Sequence, residues 1–258
     1  NQFTGPFILR RMKSEVLREL PPKTENVRRV ELETEQRKLY LAAVVDAREK
    51  LRAAKPEDKM TVFAVLMRLR EICCDPRLVA DNWTGSSAKL DACLELVTEA
   101  VAGGHRILLF SQFTSMLELL AKRLDEAGVS HFTLQGSTPK PVRAEQVRRF
   151  NQGEADVFLI SLRAGGTGLN LTAADIVIHY DPWWNLAAQN QATDRAYRIG
   201  QRNPVQVYRL IAQDTIEEKI VELQQAKQSL ADTVTGGADG AILSMNPEQL
   251  LQLLGEEA

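Results

Sequence analysis

"RILLFS" (residues 106–111), followed at once by "QFTSMLELLAKRL" (112–124), is the stretch that decides the fold. The first part is a short apolar run with no alternation, the mark of a strand buried on both faces in a parallel sheet. In the second part Phe113, Met116, Leu117, Leu120 and Leu124 recur at helical spacing, giving one buried stripe that Gly128 ends. A strand that passes into a helix through so short a turn is the unit from which parallel sheets are built. The pattern continues downstream. "SHFTLQ" (130–135) reads as a strand and residues 140–152 as a helix stopped by Gly153; "DVFLIS" (156–161), "DIVIHY" (175–180) and "VQVYRLIA" (205–212) supply three further strands. The fold class is therefore α/β: an open, mainly parallel sheet with helices on both faces.

Upstream of residue 85 the chain is organised differently. "FILRRMKSEVLRELPPK" gathers Arg10, Arg11, Lys13, Arg18 and Lys23 around a Pro21-Pro22 break. "VRRVELE" alternates like a strand, and residues 33–53 and 58–74 carry helical apolar spacing. "NWTGSS" then reads as a turn, with Ser86 or Ser87 available as an N-cap for the next helix. At the other end "TVTGGADGAILSM" has the composition of a flexible tail before a short amphipathic finish at "PEQLLQLL". No internal repeat is evident.

With 258 residues, 44% hydrophobic and 26% charged, the chain can bury a large core. A net charge of −2 excludes a generally basic, histone-like binder and confines any nucleic-acid surface to a local patch. Cys73, Cys74 and Cys93 form no CxxC pair and no even disulfide framework, so they read as reduced core thiols. His105, His131 and His179 lie far apart, without metal-ligand spacing. Neither a signal peptide nor an 18-residue apolar run is present, which points away from membranes and secretion and toward a cytoplasmic or, in a eukaryote, nuclear setting. A chain that starts at Asn1 rather than methionine reads as a piece of something longer.

In an open parallel sheet, ligands bind beyond the carboxyl ends of the strands. Three elements fall there. "SLRAGGTGLN" (161–170) is a glycine-rich loop directly after a strand; its glycines let a backbone approach a phosphate or simply make a tight turn. It is not a phosphate-cradling Walker A loop, because no GK[ST] follows it or occurs elsewhere. "QGST" (135–138) is a turn whose amides could hold a phosphate. "QATDRAYRIGQR" (191–202), entered through "HYDPWWN", places Gln191, Arg195 and Arg198 at i, i+4 and i+7, one stripe of a helix, with Ala188, Ala192, Ala196 and Ile199 on the neighbouring stripe. Taken alone, such an RxxR stripe is either an anion-binding edge or a solvated basic face. "LDEAG" (124–128) has the letters of a magnesium-binding acid pair, but it closes a helix rather than a strand, so Asp125 and Glu126 read as solvated surface.

Taken together and in order, "FILRRMKSEVLRELPPK", "LMRLREICCDPRLV", "ILLFSQFTSMLELLAKRL", "LQGST", "SLRAGGTGLNLTAADIVIHYDPWWN" and "QATDRAYRIGQ" resemble the carboxy-terminal half of a Swi/Snf-type ATPase, the DNA-translocating branch of superfamily 2 helicase-like proteins. The resemblance covers residues 3 to 225. It implies a RecA-like lobe (85–213) with an inter-lobe linker (1–31), a helical insertion (32–84), a brace-like helix (214–234) and a flexible tail with a short helix (235–258). In this family ATP and magnesium lie between two lobes, with the Walker A lysine and the DExx acids on the first; duplex DNA crosses both. By resemblance Arg195 and Arg198 are arginine fingers and Gln191 their polar partner. Gly165, Gly166, Gly168 and Asn170 couple nucleotide to DNA, and Ser111, Gln112, Gly136, Ser137, Arg163 and Trp184 contact DNA. The same resemblance implies that residues 1–31 lie displaced from the sheet, that the piece alone is monomeric, and that it hydrolyses no ATP without the first lobe. Two departures touch the DNA loops: Gln135 stands where the family usually has aspartate, and Leu186 where proline is common. The rival class is a non-catalytic RecA-like module that holds DNA or a protein partner; a dinucleotide enzyme would need a GxGxxG spacing that "RAGGTG" lacks.

Overall fold

A computed structural model describes residues 20–162, 164, 169–231 and 245–255, without the side chains of 227–231. Six strands make one sheet: β1 (Lys23–Val30), β2 (Ile107–Ser111), β3 (His131–Leu134), β4 (Val157–Ser161), β5 (Ile176–His179) and β6 (Val205–Ala212). Their spatial order is β1-β6-β5-β2-β4-β3, and every pairing is parallel. Eight helices accompany them among the described residues: α1 (Thr34–Ala53), α2 (Lys59–Cys74), α3 (Ala88–Ala102), α4 (Thr114–Glu126), α5 (Lys140–Asn151), α6 (Leu186–Thr193), α7 (Ile216–Ala231) and α8 (Pro247–Leu253).

The unbroken apolar runs of β2, β4 and β5 are buried throughout because both faces of the sheet are covered. Alternate residues serve opposite layers. Ile107 and Leu109 pack with α3 and α4 through Val97, Met116, Leu120 and Leu124. Leu108 and Phe110 face the other way, toward Phe150 of α5 and Ala192 of α6. The stripe expected of α4 is the buried one, and Gly128 (φ +68°) ends that helix as Val129 N–H reaches back to the Leu124 carbonyl. Gly153 (φ +87°) closes α5 in the same way.

The helices before residue 85 follow the expected spacing, α1 and α2 packing on each other around Leu51, Leu66 and Leu69. Ser87 occupies the N-cap of α3 but caps nothing; its hydroxyl instead donates to the Cys74 carbonyl, since the chain turns inward there. All three cysteines are free and buried, and burial pushes the Cys93 thiol up to about 12.

One expectation changes. The displaced linker is in part a strand: Lys23–Val30 joins the sheet as an edge, in register from Lys23 opposite Val205 to Val30 opposite Ala212. The cause is the length of β6, which offers a continuous ladder that local alternation in "VRRVELE" does not reveal. The basic cluster Arg10, Arg11 and Lys13 lies outside the described residues. The stretch read as a flexible tail lies outside the described residues as far as 244, and the short helix expected after it forms and has a seat. Asn246 and Gln249 cap α8 reciprocally, Leu250 is fully buried against α1 and α2, and Arg48 donates to the Leu254 carbonyl.

A buried ion pair ties the sheet to the last long helix. Lys89 of α3 and Glu217 of α7, both inaccessible to solvent, meet with Nζ 2.6 Å from each carboxylate oxygen. Glu217 also accepts the Ala212 amide at the end of β6, and Lys89 lies 5.2 Å from the Tyr180 ring. Burial opposes charge on Lys89, yet Glu217 outweighs it and holds the ammonium above its ordinary range. Removing one partner strands the other charge in the core. Lys89→Met should therefore lose on the order of 3–5 kcal/mol of stability, and Lys89→Met combined with Glu217→Leu should recover most of it. Urea unfolding of the two variants checks this.

Candidate functional site

Because all strands run the same way, every carboxyl end meets one edge. The connection leaving β2 runs through α4 toward β3, whereas that leaving β5 runs through α6 toward β6, and the two helices cover opposite faces. The crevice between β2 and β5 is thus the switch point where open parallel sheets place ligands. Asp181 bridges it. Its Oδ1 accepts the Ser111 hydroxyl at 2.6 Å and the Gln112 amide at 3.2 Å, and its Oδ2 accepts Arg70 at 3.1 Å.

The arginine segment differs from the expected helix. α6 ends at Thr193, and the chain proceeds through turns in which Ala196 N–H donates to the Thr193 carbonyl and Gln201 N–H to that of Arg198. Gln191, Arg195 and Arg198 do not share one helical stripe, and Ile199 is 73% exposed instead of lying on the sheet. What turns the chain is Gln201, a buried side chain that helical periodicity does not single out. Its amide nitrogen donates to the carbonyls of Thr172, Ala174 and Ala196, and its oxygen accepts from the amides of Arg202 and Asn203. Arg195 consequently lies inside, 7% exposed, with its guanidinium 5.4 Å from the Phe110 ring. Burial, and then the nearby Arg143 charge, pull it down to about 10, so it stays charged near neutrality. Arg198 and Gln191 are exposed; Arg198 donates to the Leu169 carbonyl at 3.3 Å.

The remaining sequence candidates divide by exposure. Gly136 and Ser137 form the exposed crest of a turn closed by Thr138, whose amide donates to Gln135 O and whose hydroxyl accepts the Gln135 amide. Asn170 is exposed and Trp184 half-buried. Ser111 is fully buried, its hydroxyl spent on Asp181, so it anchors the turn rather than presenting itself at the surface. Gln112 is 9% exposed, its side-chain nitrogen buried without a hydrogen-bond partner. Arg163, Gly165, Gly166 and Gly168 lie outside the described residues. Asp125 and Glu126 are exposed, in keeping with the surface reading.

Several residues around this edge were not picked out from the sequence. Arg143 donates to the Ala164 carbonyl within the glycine-rich stretch, at 3.2 Å. Arg70 comes from α2, far away in the chain, and no local pattern couples it to Asp181. His179 is stacked on Phe110 with ring centroids 5.5 Å apart; its Nε2 is 2.9 Å from the Thr193 hydroxyl, which itself donates to the Gln189 carbonyl. Two guanidinium groups converging beside an aromatic wall fit an anionic ligand. Among the described residues, no three His, Cys, Asp or Glu side chains gather as for a metal ion, and no helix is long and apolar enough to cross a membrane.

Comparison with known proteins agrees with this fold. The helicase conserved C-terminal domain family matches residues 88–200, and the SNF2-related domain family matches residues 1–78. An uncharacterized ATP-dependent helicase of Mycoplasma pneumoniae is 39% identical over 253 residues, covering 98% of this chain and 24% of the relative. The Sulfolobus solfataricus SWI2/SNF2 ATPase core, solved in complex with double-stranded DNA, superposes with a TM-score of 0.78 at 31% identity, covering 98% of this chain and 55% of the other. The C-terminal domain of the Sulfolobus solfataricus SWI2/SNF2 ATPase gives a TM-score of 0.75 at 27% identity, covering 92% of this chain and all of that one. The chain spans about a quarter of the length of the curated relatives it matches.

The buried histidine carries a pH signature. Burial, then Arg209 and Arg195, drive His179 from its usual 6.5 down to about 3. The folded state thus keeps it neutral where the unfolded chain takes up a proton, and stability falls as pH drops from about 6.5 toward 3, by up to about 1.4 kcal/mol per unit. Unfolding free energies measured between pH 4.5 and 7 should decline less steeply for His179→Asn than for the unaltered chain.

Proposed function

We infer the function from the chain's place in the SWI2/SNF2 family of ATPases, to which it belongs: it is the second motor lobe of an ATP-driven translocase or remodeller acting on double-stranded DNA. The observation that carries this reading is the arginine pair at the carboxyl edge, one guanidinium buried and charged beside Arg143, the other exposed and tethered at Leu169. Neither arrangement serves the core. Arg195 keeps its charge although buried at this edge, and an exposed, half-tethered Arg198 can swing to an anion presented from outside.

ATP, when bound, supplies the phosphoanhydride whose cleavage drives the motor, and its magnesium falls to acids of the first lobe, carried by the same polypeptide. In this lobe Arg195 and Arg198 act as fingers that add positive charge to the γ-phosphate only on closure, with Gln191 as a polar partner on the same rim. The glycine-rich stretch and Asn170 couple that closure to DNA. The Gly136–Ser137 crest, Gln112, Arg163 and Trp184 follow the duplex, mostly through its phosphates, so the grip is independent of sequence. The lobe alone is monomeric and inactive as an ATPase because it offers fingers without a triphosphate cradle. Support comes from the DNA-bound structure of the Sulfolobus solfataricus core, whose fold this chain shares along nearly its whole length.

The test is steady-state ATPase of the full-length protein at saturating DNA. Arg198→Ala and Arg195→Ala should each lower turnover on the order of 10³-fold while nucleotide affinity changes little, since a finger acts mainly on the transition state. Near-normal turnover in Arg198→Ala with an unchanged thermal melt defeats the reading.

The isolated lobe should bind duplex DNA weakly, without sequence preference. Its affinity should fall steeply between about 50 and 200 mM salt as counterion release loses force. A titration that shows salt-independent or strongly sequence-selective binding contradicts this.

A further inference from the structure

We propose that Arg70 of α2 is the positioning residue for the DNA-tracking edge: acting through Asp181, it holds the Ser111–Gln112 turn and Trp184 as one rigid unit. The inference rests on the functional reading above and extends it, assigning to the helical unit before residue 85 a part in gripping DNA.

Arg70 is wholly buried, an unusual state for arginine. One terminal nitrogen serves two acceptors, Asp181 Oδ2 at 3.1 Å and the Pro182 carbonyl. Its Nε and other terminal nitrogen have no hydrogen-bond partner. The planar face instead lies against aromatic rings, 4.4 Å from the Trp184 centroid and 5.6 Å from that of Phe113. A pair kept only for stability would satisfy more of its donors, or be replaced, both partners together, by apolar residues of similar volume at little cost. What this arrangement supplies is orientation. Asp181 is also buried, and it fixes the turn after β2 through the Ser111 hydroxyl and the Gln112 amide. Trp184 is half-buried, with Phe63 of α2 at 6.2 Å and Trp183 at 5.5 Å; Gln224 of α7 donates to the Trp183 carbonyl. Elements distant in the chain therefore converge on one guanidinium, and both groups it aligns sit where the duplex is read.

The experiment uses the full-length protein and follows ATPase rate against duplex concentration. Arg70→Met should raise the DNA concentration for half-maximal stimulation about tenfold, the scale of a desolvated cation–aromatic contact, while the rate at saturating DNA stays within about twofold. Arg70→Lys should shift half-saturation in the same direction, because an ammonium lacks the planar face. Asp181→Asn should shift it too, and the Arg70→Met and Asp181→Asn changes together should cost no more than the larger single effect. Acrylamide should quench tryptophan fluorescence more strongly in Arg70→Met as Trp184 loosens. Unchanged half-saturation in a variant that is folded at the assay temperature overturns the proposal, as does failure of both Arg70 variants to fold, which makes the residue purely structural. An unaltered protein with no DNA-stimulated ATPase defeats the functional reading itself, and the proposal with it, before any variant is compared.

Discussion

The constraint on which everything else hangs is that all strands run parallel. Each crossover must then return over a face of the sheet, so helices cover both faces and the strands become continuous apolar runs. The same rule brings every strand's carboxyl end to one edge. The turns after β2 and β3, the start of the loop after β4 and the "DPWWN" loop after β5 are neighbours for that reason. Between β2 and β5, where the connections part to opposite sides, the backbone opens, and Asp181 spans the opening.

Charge is used sparingly and at depth. Lys89–Glu217 and Arg70–Asp181 are both wholly buried, and each joins elements far apart in the chain. Such pairs contribute little net stability, because desolvation consumes most of the Coulombic gain. They discriminate strongly between one docking geometry and all others, since any misalignment leaves a bare charge in the core. The first pair sets α7 against the end of β6; the second sets the helical unit against the site. Arg195 follows a different logic. Its burial leaves it charged but depressed, with a second guanidinium close by, and that arrangement is suited to an anion arriving from outside.

Much of this was legible in the sequence because its cause is local. Unbroken apolar runs mark doubly covered strands, the Phe113–Leu124 stripe marks a helix lying on one face, and Gly128 and Gly153 mark ends that need a positive φ. The rest was not, because a partner far along the chain decides the outcome. The strand read in "VRRVELE" joins the sheet rather than lying displaced from it because β6 offers a long ladder, and the short helix read in "PEQLLQLL" takes its seat because α1 and α2 present an apolar face to Leu250. At Ser111 the residue type suits a phosphate contact, and its hydroxyl is held by Asp181, a partner that no local pattern reveals.

The sequence by itself determined the class of fold, the order of its layers and the set of loops gathered at one edge, for these follow from periodicity and the handedness of parallel connections. It also carried the arginine-bearing segment and its likeness to a known motor. Only the tertiary structure decided how that segment is shaped. Helical spacing predicts one basic stripe, but the Gln201 side chain competes for the carbonyls of Thr172, Ala174 and Ala196 and turns the chain after Thr193. One arginine is thereby driven against Phe110 and the other left in solvent, a division that no local spacing encodes, because two of the three acceptors, Thr172 and Ala174, belong to another part of the chain.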